Sequence, residues 1–474
     1  MSESEKIAAA PGTEPLEAAA ASAIDEEDRL RPEFVDRVLN AVDAGDDAIA
    51  RELVAPLHPA DVADLIELAA GDEREGLVKA LAGIVDADVL AEMNEHVRET
   101  LLDALDADQV AKIAAELETD DAVAILEDLE EHEQRAVLRA MEPDDRAAIE
   151  EALTYPEESA GRLMQRDLIA VPEHWKVGQV IDYLRSTEDL PTDFWEIFVV
   201  GPSHHPVGTC KLSTILRAPR STPVSDVMIR EQTLIPVDMD QEDVALRFQK
   251  YALVSAAVVD GAGRLVGMIT VDDIVHIIQE EASEDVLRLS GAGDEGDINE
   301  PVLESYRARV RWLITNLGTA LVASTVISFF EGAIAQLVVL AVLMPIVAGV
   351  GGNAGTQTLA VTVRALATNQ LTGSNRWRAV GREMRVALLN GGTVALILGI
   401  GVAAVFGNPL LGGVIAAAML ANILVAGTVG SLVPLTLERM GVDPAVGSSV
   451  FVTMMTDSMG FLIFLGLAVL SGLA

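Results

Sequence analysis

Cysteine occurs once in this chain, at Cys210, which excludes an internal disulfide framework and any cysteine-rich metal site. Basic residues are scarce too: 33 Lys and Arg stand against 74 Asp and Glu, a formal charge of -41. A chain this negative repels nucleic acid and anionic lipid and attracts cations, so no nucleic-acid partner is expected. Solubility or adaptation to salt accounts for many such acids equally well. No Gly-x-x-x-x-Gly-Lys-Ser/Thr loop occurs, so nothing marks an ATP-driven pump, and no enzymatic activity is expected. Residues 1–24 are rich in Ala, Glu and Ser and lack the apolar core of a secretory signal. They read as a disordered tail, extending to residue 31, and the first half of the chain is expected to stay in the cytosol.

What is present is divided sharply. Half of the residues are hydrophobic, which conflicts with the charge if the chain is one uniform globule. Beyond residue 300 there are nine basic residues, all arginine, and only six acids, so the surplus of acid lies before that point. Within 32–154, Leu105, Leu117, Leu129, Met141 and Leu153 recur every twelve residues, with acids just after each of the first four. Acids near a helix start can cap free N–H groups and meet the positive end of the dipole. The pattern predicts short helices stacked as a superhelix, with another start at Leu57-His58-Pro59; an ordinary helical bundle is the alternative.

At Tyr155-Pro156 short Val/Ile runs replace this texture. Ile197–Val200 followed by Pro206–Thr209 resembles Ala256–Val259 followed by Leu265–Met268, and Gly208 and Gly267 lie 59 residues apart. Two α/β units of roughly sixty residues are predicted over 155–283. They resemble a tandem CBS pair, the second copy being the better match. CBS pairs are regulatory modules and some bind adenine nucleotides, so the resemblance allows ATP as a ligand. A polar helix from Asp272 towards Ser290 should follow. Gly291–Gly296 should interrupt it, and a short helix should lead to Arg311, with 284–305 assigned as the connecting helix.

The remainder, 306–474, holds five long apolar stretches: Trp312–Phe330, Ala333–Gly351, Val386–Phe406, Leu410–Leu437 and Ser448–Leu473. About 20 apolar residues cross a bilayer core, so five transmembrane helices are predicted. With the N-terminal half inside, all nine arginines fall on the cytoplasmic side, as positive-inside topology requires, and the C-terminus lies outside.

Asp457 is the one ionisable residue well inside a predicted span. A carboxylate there costs roughly 3 kcal/mol on insertion scales and normally faces a water-filled path. A protonated Asp hydrogen-bonded to a neighbouring helix is the alternative. Thr453, Thr456 and Ser458 add oxygens suited to a hydrated cation. The run Gly349 to Thr358, after Pro345, contains four glycines in seven residues. It should weaken the helix and bring backbone carbonyls to a path, unless Gly349 and Gly355 serve close helix packing.

Gly351-Gly352-Asn353-Ala354-Gly355-Thr356-Gln357, Val363–Ala367, Gly441–Ala445 and Thr456-Asp457-Ser458-Met459-Gly460 resemble the signatures of the MgtE family of Mg²⁺ channels, as does the whole order of parts from about residue 33. The resemblance implies a homodimer in the plasma membrane with one central pore, conducting Mg²⁺. It implies Asp457 as the pore carboxylate, with Asn353 and Thr356 lining the pore. It further implies that Mg²⁺ bound by cytoplasmic acids closes the pore. The matching positions are Asp240, Glu242, Asp273, Glu281, Glu284, Asp285 and Asp443, with Asp120 or Asp121 from the helical domain. Ala252 and His276 occupy places where a relative can carry an acid, and Ser448-Ser449-Val450 stands where several members have Asn or Gly before Pro. A Co²⁺ or Mn²⁺ channel, or a membrane-anchored metal or nucleotide sensor without transport, is the competing expectation.

Overall fold

The computed structural model describes residues 23–473 except Ala104, Glu188, Asp189, Thr192, Asp193, Asp294, Glu295 and Asp297, together with the side chain of Asp72. Two compact units divide the chain, Met1–Ile278 and Gln279–Ala474. Of the expected tail, residues 1–22 lie outside the described residues. Residues 23–31 are not a tail: Ile24 pairs with Leu30 across a turn, and Ala23 and Leu30 are buried with Phe34 and Val38.

The first unit begins with short helices: α1 (Pro32–Asp43), α2 (Asp47–Val54), α3 (Pro59–Leu68), α4 (Gly71–Ala80), α5 (Ala87–Ala91) and α6 (Glu95–Leu102). Then come α7 (Ala107–Ala114), α8 (Thr119–Glu127), α9 (Glu131–Ala140) and α10 (Pro143–Ala152), whose starts are spaced by twelve residues. Each of these four is preceded by an acid, but only Asp106 caps through its side chain, accepting from the Gln109 N–H at 2.9 Å. The other three act through charge at the helix start, not through a hydrogen bond. The recurrent Leu and Met pack against one continuous core, so the period is that of the packing.

Two three-stranded sheets follow. The first holds β1 (Ala170–Pro172), β2 (Glu196–Val200) and β3 (Pro206–Lys211), with helices α11 (Val177–Ser186) and α12 (Leu212–Arg217). After α13 (Val224–Val227), the second holds β4 (Leu234–Pro236), β5 (Ser255–Val259) and β6 (Leu265–Thr270), with α14 (Gln241–Tyr251). In each sheet the first strand is parallel to the second and the second antiparallel to the third. Each copy also lends a segment to the other: Gln165 pairs with Met268, and Ile229 with Thr209. Gly208 and Gly267 sit at those crossings. A Cβ would lie 2.8 Å from the Ile229 carbonyl at the first and 2.8 Å from that of Gln165 at the second, so both must be glycine. Arg166–Glu151 at 2.7 Å and Arg162–Glu127 tie the CBS pair to the helical domain.

The polar helix α15 spans Val271–Ser290, so the connecting helix lies earlier than 284–305. Among the described residues no separate short helix leads to Arg311. Residues 302–311 are the first turns of α16 (Val302–Ser328), because no proline or glycine breaks the helix between them and the apolar run. The second unit continues with the short α17 (Glu331–Gln336), then α18 (Val339–Ala367), α19 (Arg376–Phe406), α20 (Pro409–Arg439) and α21 (Ser448–Leu470). Among the described residues five helices, α16 and α18 to α21, are long and apolar enough to cross a membrane. Helix α20 is the central one, packed by α18, α19 and α21. Leu313, Leu317, Leu389 and Ile397 are exposed on the outside of the bundle, as lipid-facing residues should be. Arg376 meets Glu438 at 2.6 Å, which sets the start of α19 beside the end of α20.

Candidate functional site: a membrane carboxylate and two acid clusters

Helix α18 passes through the glycine run without a break, so the expected weakening does not occur. Packing explains the outcome. A Cβ on Gly351 would stand 2.1 Å from the amide nitrogen of Asn422, and one on Gly355 would stand 2.6 Å from Val452. Gly460 of α21 faces Asn422 in the same way, at 2.7 Å. Asn422 is fully buried in α20 and donates to the Val347 carbonyl at 3.0 Å. Glycines on two helices thus make room for one buried amide that locks three helices together. Gly349, in contrast, has open space around it. Sequence reasoning missed Asn422, although an uncharged Asn in mid-span was a visible signal.

This packed contact positions the candidate pore face. A Cβ on Gly355 would also stand 3.4 Å from buried Thr456, and Thr356 and Asp457 are the next residues on either helix. Asn353 and Thr356 are exposed on the single bundle, with the Thr356 hydroxyl donating to the Asn353 carbonyl at 3.1 Å. Asp457 is half-buried, and among the described residues it makes no hydrogen bond and no ion pair within the protomer. The alternative of an Asp bonded to a neighbouring helix therefore has no partner to supply it. The Ser458 hydroxyl beside it is buried and likewise unpartnered. Carboxylate and hydroxyl oxygens suit a cation that keeps its water.

The end of α15 forms a second group of acids. Arg288 is paired with Glu284 on its own helix and with Asp443, at 2.7 Å, in the segment before α21. Asp443 also accepts from the Ala445 N–H at 2.8 Å. Asp285 is held above the ordinary carboxylate range by burial and then by Asp443, against the pull of Arg288. Glu281 stands one turn earlier on the same helix. Trp312 of α16 connects these parts. Its ring lies over Gly447, where a Cβ would stand 2.9 Å away, and beside Gly291 just past the end of α15. Both glycines have positive φ, +67° and +69°, so neither position tolerates a side chain.

The first unit holds the other group, at the starts of α8 and α15. Asp120 is buried, and one of its carboxylate oxygens has no hydrogen-bond partner. Burial first, then Asp273, Asp121 and Glu118, push its pKa well up. Asp273 accepts from the Thr270 hydroxyl at 2.7 Å, and burial still pushes it up to about 6. Glu118 keeps part of its surface in solvent, yet desolvation and Asp273, Asp121, Asp272 and Asp167 push it up to about 7. Asp121 is raised by burial, with Arg98 opposing. Glu118, Asp167 and Asp272 were not among the expected ligands; Glu118 was legible only as a member of the twelve-residue repeat. Asp240 has a structural task, capping α14 by accepting from the Glu242 N–H at 3.0 Å. Among the described residues no three His, Cys, Asp or Glu side chains converge as a complete metal shell. The Asp120 oxygen left without a partner is open to a water or to a cation that keeps its water.

The raised values carry a pH dependence. A carboxyl whose folded pKa exceeds its unfolded value contributes stability that is complete below the unfolded value and lost as pH rises through the folded one. Metal-free protein should therefore melt higher at about pH 5 than at about pH 7.5, losing stability as pH passes through the range of Asp273 and Glu118, about 6 to about 7. Thermal melts in chelator check this. In Glu118→Gln with Asp120→Asn, the dependence should shrink; an unchanged slope would remove the cluster from the account.

A helical-repeat domain and a CBS pair joined to five helices long and apolar enough to cross a membrane define a multi-pass integral membrane protein. Residues 344–467 match the family described as "Divalent cation transporter", 57–158 the "MgtE intracellular N domain" and 224–280 the "CBS domain". The chain belongs to the MgtE family. It is 35% identical over 317 residues to the "Magnesium transporter MgtE" of Thermus thermophilus, covering 66% of this chain and 70% of that one. It is 30% identical over 316 residues to the same-named protein of Bacillus subtilis, covering 67% and 70%. Among solved structures it is similar to "Crystal structure of the cytosolic domain of the Mg2+ channel MgtE in complex with ATP", at 28% identity and TM-score 0.47, over 51% of this chain and 99% of that one.

Proposed function

We propose that this chain forms a Mg²⁺-selective channel that admits Mg²⁺ down the membrane potential and closes when intracellular Mg²⁺ occupies its cytoplasmic acids. The observation that carries the reading is Asp457, a carboxylate within a candidate span with no partner among the described residues of its own protomer. Polar groups facing hydrocarbon are costly, so Asn353, Thr356 and Asp457 require water or a second copy of the chain. A two-fold partner would enclose them and supply a second carboxylate. Two charges crossing about 100 mV release about 4.6 kcal/mol, so no fuel is needed. Asp120, Asp121, Asp273, Glu281, Glu284, Asp285 and Asp443 are the regulatory acids in this reading, with Asp240 and Glu242 at the start of α14 as further candidates. Relatives named as magnesium transporters support the choice of ion. Flux of Mg²⁺, Co²⁺ and Mn²⁺ into proteoliposomes, with Mg²⁺ varied on each side, tests it: a Co²⁺ or Mn²⁺ preference would overturn the selectivity, and absent flux would favour a sensor. ATP at the CBS pair stays an expectation of the resemblance, checked by titrating the purified protein with ATP.

The same reading places the N-terminal half in the cytoplasm and the C-terminus outside. Single cysteines at Asn408 and Ser374 should label from outside and inside respectively. The native Cys210 gives little background, being buried with its thiol pushed up to about 11. Labelling of position 374 from outside would overturn the orientation.

A further inference from the structure

Helices α18 and α19 both pack on α20 and leave between them a cleft of about 220 Å³. Its rim, at the end of the bundle that carries the arginines, holds Arg382 and Glu383. Glu383 is only 8% exposed and is paired with the Arg382 guanidinium. Seven residues further along α19 stands Asn390, about 10 Å deeper at the helical rise. Gln357 of α18 lines the cleft too, seven residues inward from Arg364 and so at a similar depth. Both amides are exposed on the bundle. Val386 and Ile423 make the apolar wall.

This order of groups matches one class of ligand. A carboxylate and a guanidinium stand at the rim, two amides lie a headgroup's length deeper, and apolar surface lies between and beside them. Exposed amides at membrane depth are costly unless something accepts their hydrogen bonds. A transported cation alone does not suit the cleft, because it would displace the Arg382 guanidinium from Glu383 with no anion to receive it. An anionic headgroup would draw Arg382 away and leave the carboxylate unanswered. We propose that the cleft seats phosphatidylethanolamine: its ammonium donates to Glu383, its phosphate accepts from Arg382, its ester carbonyls accept from Gln357 and Asn390, and an acyl chain covers Val386 and Ile423. Placing it in the cytoplasmic leaflet rests on the orientation proposed above; the binding itself does not depend on transport.

The test is native mass spectrometry of the delipidated full-length protein with phosphatidylethanolamine, phosphatidylcholine or phosphatidylglycerol added singly. Choline cannot donate a hydrogen bond, so retention of phosphatidylethanolamine should exceed that of phosphatidylcholine by about tenfold, the worth of one charge-assisted bond. Glu383→Gln should abolish the preference. Asn390→Leu, at an exposed position that leaves the packing intact, should weaken ethanolamine-lipid binding and keeps the test open if Glu383→Gln does not fold. Equal binding of the three lipids, or no effect of Asn390→Leu, would overturn the proposal. So would a disulfide-linked dimer of Asn390→Cys, since a second copy would then fill the cleft. Cation flux measured on the same variants separates loss of this site from failure of the channel reading.

Discussion

Mg²⁺ flux into proteoliposomes is expected to fall at least about tenfold when Asp457 becomes alanine, a loss of roughly 1.4 kcal/mol or more of cation stabilisation at mid-membrane. The carboxylate is half-buried on α21, next to Thr456, which is locked against Gly355 of α18. Its position is therefore set by the packing of α21 on α18, not by a bond of its own. Removing it should leave the fold intact, because nothing in the protomer is bonded to it among the described residues. Asp457→Asn keeps the volume and removes the charge, so it should also fall well below the native rate. A fold check by size-exclusion chromatography separates lost conduction from lost assembly. Native flux in both variants would remove Asp457 from the ion path.

The second large effect concerns closure. Replacing Glu281, Glu284 and Asp285 together by alanine should give a channel that conducts at high internal Mg²⁺ as it does at low. Along α15 the i,i+4 pairs Glu280/Glu284 and Glu281/Asp285 carry like charge, which disfavours the helix. Asp443 approaches the same place, so its charge raises Asp285, and Arg288 answers only part of the surplus. Divalent cations held there would favour the form in which these acids are close. A shift from 1:99 to 99:1 needs about 5.5 kcal/mol of differential binding, which several weak sites can supply jointly. Each single neutralisation should accordingly move the response to higher Mg²⁺ without abolishing it, and only the triple variant should lose it. Trp312, between Gly291 and Gly447, is the contact through which α15 would reach α21. Patch recordings with stepped internal Mg²⁺ check the series. A triple variant that still closes would make these acids a solvated face.

What the sequence determined by itself was everything governed by local periodicity. The twelve-residue recurrence after Leu105 reappears as helices starting at residues 107, 119, 131 and 143, because each helix and its turn must return an apolar residue to the same core. The 59-residue offset of Gly208 and Gly267 reappears as two sheets of one topology, since a glycine is required wherever the other copy's backbone crosses. Five apolar runs reappear as five spans, although their ends shift by up to 16 residues, from Gly351 to Ala367 in α18, hydropathy marking the apolar segment and not where the helix stops. Only the tertiary structure decided what depends on residues distant in the chain. Gly351 and Gly355 are helix contacts made for Asn422 and Val452, about 70 and 100 residues later, and α18 runs on through the glycines unbroken. Glu118 joins Asp120 and Asp273 because burial and mutual charge act across 150 residues, and desolvation cannot be read from composition. The pairing of Arg288 with Asp443 has the same character: a charge is legible in sequence, but its partner is set by packing.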